Sequence, residues 1–251
     1  RDKDDLKLAV LIDADNVPFS NVKGMMEEIA KYGTPTTKRI YGDWTKLPDK
    51  GWKSVLLENA ITPIQQYGYT TGKNATDSAM IIDAMDILYS DKVDGFCIVS
   101  SDSDFTRLAT RLRESGMKVI GIGEKKTPNP FIVACDRFIF IEVIEGAKKK
   151  KVVSTNATAD DKKKDEKALS KIDVDTIDII ESSIEDIAED DGWAFLGDVG
   201  NLIVKKKPEF DPRNYGFSKL TPLMKSLTHL LEIHERESDK KGIKHVYVRL
   251  K

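Results

Sequence analysis

The segment Phe96-Cys97-Ile98-Val99-Ser100-Ser101-Asp102-Ser103-Asp104-Phe105 constrains the fold more than any other part of the chain. A short apolar run bounded by charged residues is the pattern of a parallel strand buried on both faces. It ends in two carboxylates, and a helical pattern follows at once from Thr106 to Ser115, closed by Gly116. In open α/β sheets, ligands bind beyond the carboxyl ends of the strands. The same plan opens the chain, where Leu8-Ala9-Val10-Leu11-Ile12 runs into Asp13-Ala14-Asp15-Asn16. Two strands that deliver acids to one edge of a sheet invite a metal ion between them.

Strand and helix patterns alternate from Leu8 to about Glu142, which predicts an α/β domain with a parallel sheet covered on both faces. Ser20 is placed to cap a helix through Tyr32, with Gly33 closing it. Lys38–Tyr41 reads as a strand, Asp49–Asn59 as a capped helix, and Ile61–Gln66 as a short extended piece. The loop Thr71-Gly72-Lys73-Asn74-Ala75 leads into a helix over Thr76–Ser90. Further strands fall at Gly95–Val99, Lys118–Gly123 and Arg137–Ile141, with a short helix near Pro130–Cys135.

In the helix Thr76–Ser90, residues Asp77, Ile81, Ala84 and Leu88 share one face. Its apolar members must sit on the sheet, which carries Asp77 to the upper rim. Asp86 falls on the solvated side and Asp83 on the flank, in a structural place. Asp13, Asp77, Asp102 and Asp104 therefore converge from three elements. Carboxylates that close repel one another unless a cation fills the gap. Oxygen ligands alone select a hard ion, Mg²⁺ or Mn²⁺. Such an ion suits in-line attack of an activated water on a phosphodiester. Asn16 is placed to position a carboxylate, and Lys73 to hold a substrate phosphate. Taken singly, Asp102 or Asp104 reads more simply as a helix cap, Asp13 as a strand-end turn residue, and Lys73 as solvated. Asp15 reads either as a neighbour of the site or as pointing away.

All 3 histidines lie beyond position 228, so no His-based zinc site is available in the first half. The 2 cysteines, Cys97 and Cys135, sit in apolar surroundings and read as buried thiols. No apolar run approaches a membrane helix and the first residues do not resemble a signal peptide, so the expectation is a cytoplasmic protein with no membrane partner.

The pattern dissolves over residues 146–168, where Lys148–Lys151 is followed by a polar, mixed-charge run. This reads as a flexible linker between a first domain, 6–145, and a second, 169–251. In the second, Ile172, Val174, Ile177, Ile180, Ile184 and Ile187 form a helical stripe whose other face is acidic. A helix ending at Lys205-Lys206-Lys207, a turn over Phe210–Gly216 and a helix over Lys219–Leu227 follow. Leu231–Arg236 and Lys244–Leu250 form a hairpin around Lys240-Lys241-Gly242. Three helices and a two-stranded wing predict a small winged helix-turn-helix domain. From Gly192 onward 12 Lys/Arg face 7 Asp/Glu, so this domain is basic once its first helix is set aside.

The motifs Val10-Leu11-Ile12-Asp13-Ala14-Asp15-Asn16, Gly72-Lys73-Asn74-Ala75-Thr76-Asp77 and Val99-Ser100-Ser101-Asp102-Ser103-Asp104-Phe105 resemble the NYN domain, in the family's order. NYN domains belong to the PIN-like ribonuclease superfamily, and this chain is most similar to the bacterial LabA-like members. The resemblance implies a three-layer PIN-like sheet and a metal-dependent ribonuclease with its acids on Asp13, Asp77, Asp102 and Asp104, and Asn16 beside them. By analogy with PIN-like domains it extends to a homodimer.

Gly192-Trp193, Leu196-Gly197-Asp198-Val199-Gly200, Phe210–Gly216 and Val246–Leu250 resemble the OST-HTH (LOTUS) domain. That resemblance implies a winged helix associated with RNA binding, and in some members with protein partners. Lys205, Lys206, Lys207, Arg213, Lys219 and Arg249 are its candidate phosphate contacts. Two other functions fit parts of the pattern. Asp13-Ala14-Asp15-Asn16-Val17 matches the first motif of haloacid-dehalogenase-like phosphatases, although the Ser-Asp-Ser-Asp run does not match their late acidic motif. A non-catalytic RNA-binding adaptor also fits, its acidic pocket holding metal, or nothing, only for structure.

Overall fold

The computed structural model describes residues 5–45, 49–67, 75–144, 172–237 and 244–251. Lys73, the loop around it, residues 146–168 and the turn Lys240-Lys241-Gly242 lie outside them. The chain divides into two units, Arg1–Val153 and Ser154–Lys251.

The first unit is a six-stranded sheet. Strands β1 (Lys7–Asp13), β2 (Thr34–Gly42), β3 (Thr62–Gln65), β4 (Gly95–Val99), β5 (Lys118–Gly123) and β6 (Arg137–Phe140) lie in the order β3-β2-β1-β4-β5-β6, and every pair is parallel. Helices α1 (Val22–Ile29), α2 (Asp49–Glu58), α3 (Ala75–Tyr89), α4 (Thr106–Glu114) and α5 (Asn129–Ala134) cover it. The strand order reverses direction between β1 and β4, which makes their carboxyl ends the switch point where such sheets bind ligands.

Side-chain parity decides what reaches that edge. Leu8, Val10 and Ile12 of β1 and Cys97 and Val99 of β4 pack on one face, with Met25 of α1 and Trp52 and Leu56 of α2. Ala9 and Leu11, with Phe96 and Ile98, pack on the other, against Met80 and Ala84 of α3, Leu108 of α4 and Phe131 of α5. Successive strand residues alternate between faces, so Asp13 and Ser100 continue the second series and turn toward α3.

Several local expectations are corrected. Ser20 does not cap α1; Pro18 starts a tight turn, with the Asn21 amide donating to its carbonyl at 3.0 Å, and the helix begins at Val22. It ends at Ile29, and Gly33 closes nothing. Gly33 is required because a Cβ there would stand 2.3 Å from the Leu6 carbonyl oxygen. Strand β2 starts at Thr34, earlier than the pattern suggested, because a bulge between Leu8 and Ala9 accommodates Pro35, which has no N–H to donate. The deepest face of α3 is Met80, Ala84 and Ile87, with Ile81 and Leu88 only partly buried. Asp77 lies one turn before Met80 on that same face. Cys97 and Cys135 are free and buried, as expected.

The second unit carries helices α6 (Val174–Ile187), α7 (Leu196–Lys206) and α8 (Leu220–Ser226) and strands β7 (Ala194–Phe195), β8 (Leu231–Glu237) and β9 (Lys244–Leu250). The strands form an antiparallel sheet in the order β7-β9-β8, so the expected hairpin gains a third, two-residue strand. Asp173 caps α6 through the Thr176 amide at 2.8 Å. That start turns Val174 outward, 71% exposed, while Ile180 and Ile184 are buried as the stripe predicts and Thr176 joins them. One core joins α6, α7, α8 and the inner sheet residues Ala194, Leu231 and Val248.

Candidate metal centre

Strand β1 ends at Asp13, whose Oδ1 accepts the Asp15 amide at 3.1 Å and so caps the short 3-10 turn Ala14–Asn16. The Asn16 side-chain amide and the Ser100 hydroxyl, the latter at 2.9 Å, both donate to Oδ2 of Asp13. Asp13 is 1% exposed. Burial raises its pKa above the usual carboxylate value, while Asn16, Ser100 and the Asp15 amide act in the opposite direction.

At the end of β4, the Ser100 Oγ also accepts the Asp102 amide at 3.1 Å. Asp102 Oδ1 then accepts the Asp104 amide at 2.9 Å, capping the 3-10 turn Ser103–Phe105. Phe105, fully buried, anchors that turn beneath the site. Asp102 therefore is a cap, and it is also more than a cap. Carboxylate oxygens of Asp77, Asp102 and Asp104 all lie within 4.8 Å of one another. Asp77 enters from the first turn of α3.

The four expected acids thus reach one edge, in two roles. Asp77, Asp102 and Asp104 form the open trio, and Asp13 stands behind it in a sleeve of donors. The Asp77 pKa is pushed up to about 6, first by burial and then by the charges of Asp13, Asp102, Asp104 and Asp15. The trio offers only oxygen, which fits a hard divalent ion. The Asp15 side chain is exposed and adds its charge to the field at Asp77.

Asp83 takes the flanking, structural place expected of it. It accepts from Arg39 Nη1 and from the Tyr41 hydroxyl, each at 2.5 Å, pinning α3 to β2. The sequence reading gave Ser100 and Ser101 no role. Ser100 links Asp13 to Asp102, and Ser101 Oγ accepts the Glu124 amide at 2.9 Å, tying in the loop after β5. The signal was available: two small hydroxyls follow an all-apolar buried strand.

In the second unit, the six basic candidates divide. Arg213 grips Asp211 through Nε at 3.0 Å and Nη2 at 2.7 Å. Lys207 donates to Thr176 Oγ1 at 2.7 Å, Lys206 pairs with Asp186 at 2.7 Å, and Arg249 pairs with Glu232 at 2.5 Å. Lys205 and Lys219 are exposed.

A doubly wound parallel sheet with acids from separate elements at its switch point defines a PIN-like α/β domain. The chain belongs to the NYN domain family, which matches residues 7–145, and an OST-HTH/LOTUS domain matches residues 167–243. It is thus a nuclease-superfamily domain followed by a module of the RNA-binding type. No curated protein matches the chain. Among solved structures it is similar to a crystal structure of a protein of unknown function from Vibrio parahaemolyticus, at 19% identity over 55% of this chain and 94% of that one, TM-score 0.47. A solution structure of an uncharacterized Nitrosomonas europaea protein matches at 30% identity over 38% of this chain and 90% of that one, TM-score 0.31. A solution structure of a Chromobacterium violaceum protein matches at 40% identity over 29% of this chain and 76% of that one, TM-score 0.24. Among the described residues no helix is long and apolar enough to cross a membrane.

Proposed function

We propose that the chain is a ribonuclease dependent on Mg²⁺ or Mn²⁺, held by Asp77, Asp102 and Asp104 with Asp13 behind them. The observation that carries this is the meeting of the three carboxylates within 4.8 Å, at the switch point of an NYN domain. When bound, the ion supplies positive charge to the phosphodiester oxygens and activates a water for attack. The protein's own groups prepare the place. Asn16 and Ser100 hold the Asp13 carboxylate in one orientation, and the cap at Asp104 fixes that of Asp102. Asp13 fits this supporting role better than that of a phosphatase nucleophile, since both its oxygens already accept hydrogen bonds.

In this reading residues 6–145 are the nuclease, 146–168 a tether and 169–251 the RNA-binding module. The tether raises the concentration of bound RNA at the acids. Lys73 contributes a phosphate contact, and Lys205 and Lys219 are the contacts retained from the winged helix. Cytoplasmic residence, a homodimer and a protein partner for the winged helix belong to the same proposal. The test is cleavage of labelled RNA with Mn²⁺ by wild type and by Asp102→Asn and Asp104→Asn. Each variant is expected to lose roughly a hundredfold in rate. Equal cleavage by wild type and Asp102→Asn overturns the proposal.

A further inference from the structure

The outer face of the winged-helix sheet has an unusual composition. In β9, Val246, Val248 and Leu250 belong to the core, so His245, Tyr247 and Arg249 point outward. In β8, Leu231 and Ile233 face the core, and Glu232, His234 and Arg236 point outward. Ala194 is buried, which turns Trp193 and Phe195 to the same outer side. The strand register places His234 and Phe195 on either side of Tyr247, and Arg236 beside His245.

These side chains form a continuous layer of rings and guanidinium planes. Trp193 lies 5.8 Å from His234, and Phe195 lies 5.4 Å from His245 and 5.7 Å from Tyr247, between centroids. Arg236 covers the Tyr247 ring at 4.5 Å and Arg249 covers the Trp193 ring at 4.7 Å. Two glycines make room for this layer. Gly192, at φ +79°, would place a Cβ 3.1 Å from Arg249 Cδ, and Gly197 would place one 2.6 Å from the Phe195 ring.

We infer that this face is a stacking platform for the unpaired bases of single-stranded RNA, an inference that rests on reading the second domain as an RNA-binding module. Bases splayed from single strands stack on aromatic rings and on arginine planes. Here each arginine already lies on a ring, leaving its guanidinium as the next surface for a base. No aliphatic side chain of the two long strands lies on this face, which distinguishes it from the apolar grooves that capture protein helices. Charge points the same way. Glu232 is paired to Arg249, so among the described residues of the platform Arg236 stands in excess. Helix α6, packed in the core behind the inner face, carries Asp175, Asp178, Glu181, Glu185 and Asp186 with no lysine or arginine, and repels a polyanion.

The test uses the full chain with EDTA to prevent cleavage. Fluorescence anisotropy reads binding to a labelled unstructured RNA and to an abasic oligonucleotide with the same number of phosphates. Wild type is expected to bind the RNA about tenfold or more tightly than the abasic strand. The exposed pair His234→Ala with Arg236→Ala should remove most of that difference, while abasic binding weakens only by the loss of one charge. Arg236→Lys, which keeps the charge and loses the plane, should resemble Arg236→Ala. RNA binding that is unchanged in the double variant, or restored by Arg236→Lys, overturns the platform and leaves the module an RNA binder. No RNA binding by wild type overturns both readings.

Discussion

Ser100 Oγ donates to Asp13 Oδ2 at 2.9 Å across the junction of two strands that are adjacent in the sheet and far apart in sequence. The same oxygen accepts the Asp102 amide, so one hydroxyl orients the buried acid and the start of the acid-bearing turn. Ser100→Ala leaves Asp13 buried with one donor fewer. A hydrogen bond to a charged group is worth about 1.5–3 kcal/mol, and a loss of that order in urea unfolding near neutral pH is expected. A loss below about 0.5 kcal/mol, the range of ordinary surface changes, would show that the bond is incidental.

The raised pKa of Asp77 makes stability and cation binding depend on pH in opposite senses. Its folded value of about 6 exceeds that of an ordinary exposed carboxylate, so the folded chain holds the proton more tightly than the unfolded one. Without a cation, the stabilisation from this group is complete below the unfolded value and is lost as pH rises through about 6. A bound cation replaces the proton, so apparent Mn²⁺ affinity should fall by up to about tenfold per pH unit below that value. Thermal melts with and without Mn²⁺ at about pH 5 and about pH 7.5 read both effects. A Mn²⁺-induced rise in Tm of equal size at both pH values contradicts this.

Asp77→Asn separates repulsion from ligation. Removing the charge relieves the crowding by Asp13, Asp102 and Asp104, and the variant should gain on the order of 1 kcal/mol in metal-free buffer near pH 7.5, a value discounted for partial exposure. The same change removes a ligand, so Mn²⁺ should stabilise the variant less than wild type. Calorimetric titration and melts give the two quantities separately. A variant that is both less stable and equally responsive to Mn²⁺ would place Asp77 outside the centre.

Alternation of apolar strands and amphipathic helices was enough to read a parallel sheet, and strand ends were enough to place Asp13, Asp102 and Asp104. Asp77 was legible because a helix facing a sheet must aim its first turn at the strand ends. The division of labour among the acids was not legible. It depends on Ser100 and Asn16 donating to Asp13, and a hydroxyl after a strand has no periodic signature. The helix start at Val22 was hidden for a similar reason, since the Pro18 turn competes with Ser20 for the cap. The partners of the basic residues were not legible either. A guanidinium such as that of Arg213 looks the same in sequence whether it faces phosphate or closes on Asp211.

That last distinction yields a prediction in opposite directions. Arg213 and Asp211 share two hydrogen bonds, Asp211 is 6% exposed, and its Oδ1 also accepts the Arg213 amide at 2.9 Å to start the turn Pro212–Tyr215. Arg213→Ala removes the charged partner of a buried carboxylate and should cost about 2 kcal/mol or more. The RNA affinity of the folded fraction should stay the same. Lys205→Ala and Lys219→Ala remove exposed charges and should leave stability within about 0.5 kcal/mol. Each should instead weaken RNA binding evenly across sequences and reduce the slope of log K against log salt by about 0.7. Denaturant unfolding and a salt series of binding isotherms measure the two responses on the same variants. If Arg213→Ala keeps its stability and flattens the salt slope, its guanidinium belongs to the RNA, and the pairing with Asp211 gives way when RNA binds.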